Sequence, residues 1–173
     1  MLSGLSVALI AVGAAIVFPL GPIPFTLQTL MLMLALLILT PKEALATTGG
    51  YLLLGIIGLP VFSGFTGGFG VFLGPTGGFL MGFLAGVALV APLRALLQKR
   101  LLQTRSAMFL DLASVLLLMG VYYSTGMAWF MVVTGSSATA ALALCVLPFV
   151  IPDIIKAAAA IACARPIRVA LGR

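Results

Sequence analysis

Two opposite charges stand in an apolar stretch near the end of the chain. Asp153 and Lys156 are the only charged residues between Asp111 and Arg165. Their spacing of three residues puts both side chains on one face of a helix, within reach of each other. A charge in lipid is costly, so we expect this face to turn toward the protein interior or a wet cavity. The pair predicts the polar end of a pocket for a carboxylate- or amide-bearing ligand, unless it only locks helix packing.

The other reactive side chains give little support for catalysis. The sequence has no His, which excludes His-based metal sites and nucleophiles activated by His. Cys145 and Cys163 lie in apolar segments without a CxxC pattern, and we interpret both as small buried apolar residues. Asp111 is interpreted as a solvated acid near the start of a helix, and Glu43, beside Lys42, as a loop charge. We expect no catalytic residue, no metal and no cofactor.

The composition indicates the elements that position these residues. Of 173 residues, 63% are hydrophobic and 7% are charged, with a mean hydropathy of +1.33. An ordinary soluble domain carries about 25% charge. Six spans of about 20 residues would use roughly 120 residues and leave only short loops. The sequence therefore predicts one all-α integral membrane domain over residues 1–173, with six transmembrane helices.

The predicted spans are apolar runs separated by Pro, Gly or charged residues. They cover Leu2–Phe18, Thr26–Leu39, Ala44–Gly58, Pro75–Leu97, Ala107–Ser124 and Phe149 to about Ala164. The Gly- and Phe-rich stretch Leu59–Gly74 is predicted to be a long ordered loop after the third span. Gly126–Ser137, which contains Trp129, is predicted to form turns, and Thr139–Leu147 is too short to span a membrane.

The distribution of basic residues predicts the orientation. With a cytoplasmic amino terminus, every Lys and Arg except Lys156 lies on or near the cytoplasmic side: Lys42, Arg94, Lys99, Arg100, Arg105, Arg165, Arg168 and Arg173. This follows the positive-inside rule and places both termini in the cytoplasm. The segments near residues 19–26, 59–76 and 125–138 are then external. We attribute the net charge of +6 to contact with lipid headgroups rather than with nucleic acid.

Polar residues near the start of the second span are candidates for ligand contact. Thr26, Gln28 and Thr29 either face the same cavity as Lys156 or cap the helix.

The loop after the third span is a second candidate. It contains Gly67 and Gly68, which allow tight turns and close approach to a ligand or a helix. It lacks the terminal Gly-Lys-Ser/Thr of a phosphate-binding loop, so we do not predict nucleotide binding. Its phenylalanines, among them Phe65, either cover an apolar ligand or anchor the loop at the membrane interface.

The first span carries a stripe of small residues. Ala11 and Ala15 form a small-xxx-small pair, preceded by Gly4 and Ala8. Such a stripe predicts close contact with another helix, in this chain or in a different subunit.

Several separated motifs together resemble the BioY family, the substrate-binding S components of energy-coupling-factor (ECF) biotin transporters. The matching segments are residues 11–15 (AVGAA), 22–29 (PIPFTLQT), 51–62 (YLLLGIIGLPVF), 73–78 (LGPTGG) and 147–149 (LPF), with Asp153 and Lys156. They cover nearly the whole chain in order. One departure is Ile151-Pro152-Asp153, where the family more often has Pro-Gly-Asp.

The resemblance implies a six-helix protein of the prokaryotic cell membrane that binds biotin with high affinity from the external side. It also implies a transmembrane coupling subunit, contacted through Ala11 and Ala15, and two ATPase subunits that hydrolyse ATP. In this hypothesis Asp153 and Lys156 meet the polar atoms of biotin and Thr26 and Gln28 add hydrogen bonds. The residues that shape the cavity are then Tyr51, Phe65, Gly67, Gly68 and Thr76.

Three other functions remain open from the sequence. A stand-alone permease for biotin or another vitamin-like acid would use the ion pair for proton coupling. An intramembrane enzyme has little support, because no His or Cys lies beside Asp153 and Lys156. A purely structural subunit is the third alternative.

Overall fold

The computed structural model describes residues 2–18, 23–100 and 104–172, without the side chains of residues 99, 100 and 104–106. Residues 19–22 of the first predicted external segment, and the predicted cytoplasmic side chains of Lys99, Arg100, Arg105 and Arg173, lie outside this described part. The helices are α1 Leu2–Ala15, α2 Gln28–Ile38, α3 Pro41–Ile56, α4 Phe69–Leu73, α5 Gly77–Arg100, α6 Thr104–Thr134, α7 Ala138–Cys145 and α8 Leu147–Ala170.

A short β-hairpin interrupts the otherwise helical architecture of the described residues. Strand β1, Val17–Phe18, pairs antiparallel with β2, Phe25–Thr26. The sequence analysis predicted no strand here, and it extended the first helix through Phe18. The hairpin joins α1 to α2 and brings Phe25 and Thr26 to the amino-terminal end of α2.

Within the described residues, three helices are long and apolar enough to cross a membrane. They are the segments Gly77–Gln98, Ala107–Thr134 and Leu147–Ala170 of α5, α6 and α8. The apolar helices α1 and α2 are shorter, with 14 and 11 residues. At about 1.5 Å per residue neither reaches the roughly 30 Å of a hydrocarbon core.

The segment around Trp129 is helical up to Thr134. The prediction of turns over Gly126–Ser137 is therefore wrong for residues 126–134. A Cβ atom on Gly126 would lie 2.5 Å from the Phe79 ring. This glycine therefore permits close packing of α5 against α6 and does not break the helix. Only residues 135–137 separate α6 from α7.

Three glycines spaced four residues apart form the α5 side of this contact. A Cβ atom on Gly82 would lie 2.7 Å from Tyr122 Cα, and one on Gly86 would lie 2.6 Å from Leu118 Cδ1. A Cβ on Gly78 would overlap Trp129. Small residues let helix backbones approach closely in membrane proteins. The stripe thereby sets the position of Tyr122 on α6.

Two other sequence interpretations are corrected by the fold. Leu59–Gly74 is not entirely loop, because Phe69–Leu73 forms the short helix α4. Glu43 is a helix-capping residue: its carboxylate accepts hydrogen bonds from the backbone N–H and hydroxyl of Thr40 at 2.9 and 2.8 Å. The Thr40 hydroxyl in turn accepts from the Glu43 backbone N–H, which completes a capping box at the start of α3.

Candidate ligand-binding site

The predicted ion pair is present and buried. Helix α8 begins at Leu147 with Pro148 in its first turn, so Asp153 and Lys156 lie in its second and third turns. Asp153 is 2% exposed and Lys156 is 6% exposed. Lys156 Nζ lies 2.8 Å from Asp153 Oδ1. The face that carries both residues turns into the protein, as the cost of charge in lipid requires.

The carboxylate of Asp153 accepts four hydrogen bonds from three helices. Its Oδ1 accepts from Lys156 Nζ at 2.8 Å and from the Thr29 hydroxyl at 3.1 Å. Its Oδ2 accepts from the hydroxyls of Tyr122 and Tyr123 at 2.6 and 2.8 Å. A carboxylate has about four acceptor sites. Asp153 is therefore saturated by protein donors.

Lys156 keeps one donor beyond these contacts. Its ammonium donates to Asp153 and, at 2.9 Å, to the Thr29 hydroxyl. It also lies 3.9 Å from the centroid of the Phe25 ring, a favourable cation–π distance. Since an ammonium has three N–H donors, one remains for an acceptor on a ligand.

A partly enclosed cavity of about 300 Å³ adjoins the ion pair. This volume is at the lower end of the range of small-molecule sites, about 300–1,000 Å³. Its aromatic walls are Phe62, Phe79, Phe83, Tyr122, Tyr123 and Phe149. Its polar side chains include Thr26, Gln28, Thr29, Thr76, Asp153 and Lys156. Apolar walls with a few polar groups at one side suit a ligand that is itself mostly apolar.

Gln28 is held in place by a chain of hydrogen bonds across α2, α3 and the following loop. Its Nε2 donates to the Tyr51 hydroxyl at 2.8 Å. Tyr51 donates in turn to the Val61 carbonyl at 3.0 Å. The Gln28 backbone N–H donates to the Thr26 hydroxyl at 3.3 Å, whereas the N-cap residue of α2, Leu27, makes no side-chain cap.

Five of the nine predicted ligand residues line the cavity: Thr26, Gln28, Thr76, Asp153 and Lys156. Tyr51, 1% exposed, stands behind Gln28 and does not reach the lining. Phe65 is 71% exposed at the tip of a turn and also lies outside the lining.

Gly67 and Gly68 support the cavity wall rather than line it. A Cβ on Gly67 would overlap the Leu59 carbonyl, and the Gly68 N–H donates to the Gly55 carbonyl at 2.6 Å. Gly68 also has a φ of +96°, which favours glycine. These contacts hold the segment that carries Phe62 and Thr66 against α3, and both of those side chains line the cavity.

Tyr122 and Tyr123 were missed by the sequence analysis. Two adjacent tyrosines in an apolar span were the available signal, because a buried phenol usually finds a hydrogen-bond partner. That the partner is Asp153, some 30 residues away in the chain, depends on the packing of α6 beside α8.

The interpretation of Asp111 as a solvated acid is wrong. It is 3% exposed and forms salt bridges with Arg94 at 2.7 Å and with Arg168 at 2.6 Å. The arginines that pair with Asp111 lie on α5 and α8, too far along the chain for a sequence pattern to show.

The interpretation of both cysteines as buried holds for Cys145, which lines the cavity, but Cys163 is exposed.

The small residues of α1 divide between core and surface. Ala11 and Ala15 are half-buried, and Gly4 and Ala8 are exposed. Ala11 packs against the core from its partly buried side.

Comparison with known proteins identifies the family. The profile described as "BioY family" matches residues 1–173. The chain belongs to the BioY family. The prediction from the sequence motifs is thereby confirmed.

Similar BioY proteins come from archaea and bacteria. "Probable biotin transporter BioY" of Pyrococcus horikoshii is 38% identical, over 92% of this chain and 90% of that protein. "Biotin transporter BioY" of Rhizobium etli is 34% identical, over 93% of this chain and 91% of that protein. The match to "Biotin transporter BioY" of Thermotoga maritima is 48% identical but spans only 51% of this chain and 52% of that protein.

A solved structure shares the fold of this BioY protein. It is described as the "S-component for biotin from an ECF-type ABC transporter" and superimposes with a TM-score of 0.84. The two are 29% identical, over 96% of this chain and 88% of that one. The similar proteins are named as transporters or as a transporter component, which confirms the prediction of a membrane transport protein rather than an enzyme.

Proposed function

We propose that this BioY protein is the high-affinity biotin-binding S subunit of an ECF-type, ATP-driven uptake transporter. The observation that carries the proposal is that a buried ion pair lies at the wall of a cavity lined by aromatic side chains. In this pair the Asp153 carboxylate has all its acceptor sites filled by protein donors, and it holds the Lys156 ammonium at the wall. Biotin has an apolar bicyclic body and chain between two polar ends. Such a ligand fits a mostly apolar cavity whose polar side chains include Lys156, Gln28 and Thr76.

The hydrogen bonds assign different roles to the two charged residues. Asp153 already accepts four bonds, so its role is to hold Lys156 and Thr29 in place. Lys156 offers its remaining N–H to an acceptor oxygen of biotin. The carboxylate and the ureido carbonyl both supply such an oxygen. Gln28, fixed by Tyr51, and Thr76 complete the polar contacts.

The same proposal includes six spans in one prokaryotic cell-membrane domain, formed by α1, α2, α3, α5, α6 and α8. The shorter helices α1, α2 and α3 complete their spans with the non-helical residues beside them. The cavity lies where α2, α5 and α8 begin, whereas Arg94 and Arg168 lie near the opposite ends of α5 and α8. Placing that basic end in the cytoplasm satisfies the positive-inside rule and puts both termini there. The cavity and the loop after α3 then face the outside.

The partners of the proposed complex are a transmembrane coupling subunit and two ATPase subunits. A smooth surface on α1 supports this, because Gly4 and Ala8 are exposed and Ala11 and Ala15 are half-buried beside them. The structural likeness to the biotin S-component supports the same assembly. ATP hydrolysis is assigned to the partner subunits.

Equilibrium binding of radiolabelled biotin to the purified protein tests the proposal. We expect saturable binding by the wild type and at least hundredfold weaker binding by Lys156→Met, since about 2.7 kcal/mol corresponds to hundredfold. Lys42→Met is the matched control, because Lys42 is exposed and does not line the cavity. Absence of saturable binding by the wild type refutes the function. Wild-type affinity in a folded Lys156→Met variant refutes only the site.

A second experiment separates the S subunit from a stand-alone permease. Cells that express this chain alone are compared with cells that also express the coupling and ATPase subunits. Under our proposal, concentrative biotin uptake requires all the subunits and is lost when ATP hydrolysis by the ATPase subunits is abolished. Equal concentrative uptake by the chain alone favours the permease.

Analogues determine which polar end of biotin meets Lys156. Biotin amide removes the negative charge of the carboxylate and leaves the ureido ring intact. If Lys156 binds the carboxylate, the amide binds more weakly to the wild type, whereas Lys156→Met no longer distinguishes amide from acid. If the ureido carbonyl is the partner, the ratio of the two affinities stays the same in both proteins.

A further inference from the structure

A second cavity, of about 440 Å³, lies at the end of the helix bundle opposite the ligand site. It is formed where α2 ends, α3 begins, and α5 and α8 approach their carboxyl ends. Its apolar walls include Leu36, Leu37, Leu39, Ala91 and Ala95. Its polar side chains include Arg94, Gln98 and Arg168. The proposed biotin site makes no use of this cavity.

Two guanidinium groups share one carboxylate at this end. Arg94 Nη2 donates to Asp111 Oδ1 at 2.7 Å. Arg168 binds the same carboxylate with both ends of its fork, Nη1 to Oδ1 at 2.9 Å and Nη2 to Oδ2 at 2.6 Å. The three-residue cluster therefore carries one net positive charge. Gln98, which accepts from Arg94 Nη1 at 3.4 Å, is neutral and does not offset it.

Arg94 also has an unused donor. Among the described side chains, its Nε is the one buried nitrogen or oxygen without a hydrogen-bond partner. Arg94 as a whole is 7% exposed. Leaving a buried donor unpaired is costly, and the cost is greater for a charged group. The N–H and the excess charge together call for an anionic acceptor.

We propose that this cavity binds the phosphate of an anionic phospholipid headgroup. A guanidinium presents several N–H donors in a planar fork that matches phosphate oxygens. The apolar residues of the same cavity provide a surface for the upper part of an acyl chain. This inference rests on the orientation proposed above, in which Arg94 and Arg168 lie near the cytoplasmic ends of α5 and α8, because basic pockets between membrane helices on the cytoplasmic side suit anionic headgroups.

Native mass spectrometry of the purified protein tests the proposal. The detergent sample contains equal amounts of phosphatidylglycerol and phosphatidylcholine with the same acyl chains, and the detergent is then removed from the protein in the mass spectrometer. We expect phosphatidylglycerol to be retained at least tenfold more than phosphatidylcholine. We expect Arg168→Gln to reduce this preference at least fivefold. Arg165→Gln is the matched control, since it removes the same charge from the same helix at an exposed position outside the cavity.

Further variants guard against loss of the fold. Arg94→Lys keeps a cation beside Asp111 but removes Nε and the planar fork, so we expect it to weaken phosphatidylglycerol retention about as much as Arg168→Gln. Melting temperature is measured for each protein with either lipid. The wild type and Arg165→Gln should gain several degrees with phosphatidylglycerol only, and the other two variants should not.

A separate arm distinguishes a lipid from a free anion. Inorganic phosphate at millimolar concentration should neither stabilise the protein nor displace phosphatidylglycerol. Stabilisation by inorganic phosphate alone overturns the lipid assignment in favour of a free-phosphate site. Equal retention of both lipids by the wild type, or equal loss in Arg168→Gln and Arg165→Gln, overturns the proposed site. If the coupling and ATPase subunits raise the melting temperature of this protein and phosphatidylglycerol does not, the lipid assignment is overturned. The partner of Arg94 and Arg168 is then a carboxylate of one of those subunits.

Discussion

The hydroxyl of Tyr122 on α6 donates to Oδ2 of Asp153 on α8 at 2.6 Å. Both residues are buried, with exposed fractions of 1% and 2%. Tyr123 donates to the same oxygen at 2.8 Å. The two phenols fix the orientation of the carboxylate, and the carboxylate positions the Lys156 ammonium at the wall of the cavity.

Removal of the Tyr122 hydroxyl should weaken biotin binding. A hydrogen bond to a charged group contributes about 1.5–3 kcal/mol, and part of this positions Lys156. We expect Tyr122→Phe to lower biotin affinity by about tenfold, equivalent to about 1.4 kcal/mol. Equilibrium binding measures it. Thr134→Val, which removes a hydroxyl of the same helix bonded to the Phe130 carbonyl, should bind as the wild type. Unchanged affinity in Tyr122→Phe would show that Asp153 is positioned without it.

The charged pair should also affect stability, in a way that separates folding from binding. Loss of one member of a buried pair leaves the other uncompensated and costs about 3–5 kcal/mol. Lys156→Met should therefore unfold at a lower temperature than the wild type. The double variant Asp153→Asn/Lys156→Met, without a buried charge, should recover most of that loss but still bind biotin poorly. Additive destabilisation in thermal unfolding would contradict the coupling of the two residues.

The glycine stripe on α5 should tolerate no larger residue. In Gly82→Ala the new Cβ would lie 2.7 Å from Tyr122 Cα, so α5 and α6 must separate. Overpacking of this kind costs about 1–3 kcal/mol. Gly120→Ala on α6 is the control, because nothing lies within 4 Å of its Cβ position. Thermal unfolding should show a loss for Gly82→Ala and no loss for Gly120→Ala; equal melting temperatures would refute the close contact.

The sequence was informative where a signal is local. Asp153 and Lys156 are three residues apart in an apolar run, so their shared face and their burial follow from helix geometry and the cost of charge in lipid. Asp111 carries no such signal. Its partners, Arg94 and Arg168, come from helices that meet only after the bundle packs. A single acid near a cluster of basic residues is therefore ambiguous until the tertiary structure is known.

Glycine was ambiguous for a related reason. Gly126 beside Thr125 and Ser124 is typical of a turn, yet in this fold it provides space for the Phe79 ring inside a continuous helix. Whether a glycine breaks a helix or permits close packing depends on the neighbouring element. The hairpin of Val17–Phe18 with Phe25–Thr26 was missed for a different reason: each strand has only two residues, which is too short for an alternating pattern to indicate a strand.

The surface of α1 should matter for assembly and not for biotin binding. Ala11 and Ala15 are half-buried and do not line the cavity. If the coupling subunit packs on them, a leucine at either position prevents close approach of the partner helix. We expect Ala11→Leu and Ala15→Leu to reduce co-purification with the coupling and ATPase subunits at least tenfold. Biotin affinity of the isolated chain should change less than threefold.

The control for this surface is Ala159→Leu, an equal enlargement at an exposed position of α8. It should leave both assembly and binding unchanged. A joint loss of assembly and biotin binding in Ala11→Leu would indicate disturbed packing of α1 against the core, where Ala11 makes its partly buried contacts. Full assembly of both α1 variants would show that the coupling subunit contacts a different face, because a smooth surface is required only where helices meet closely.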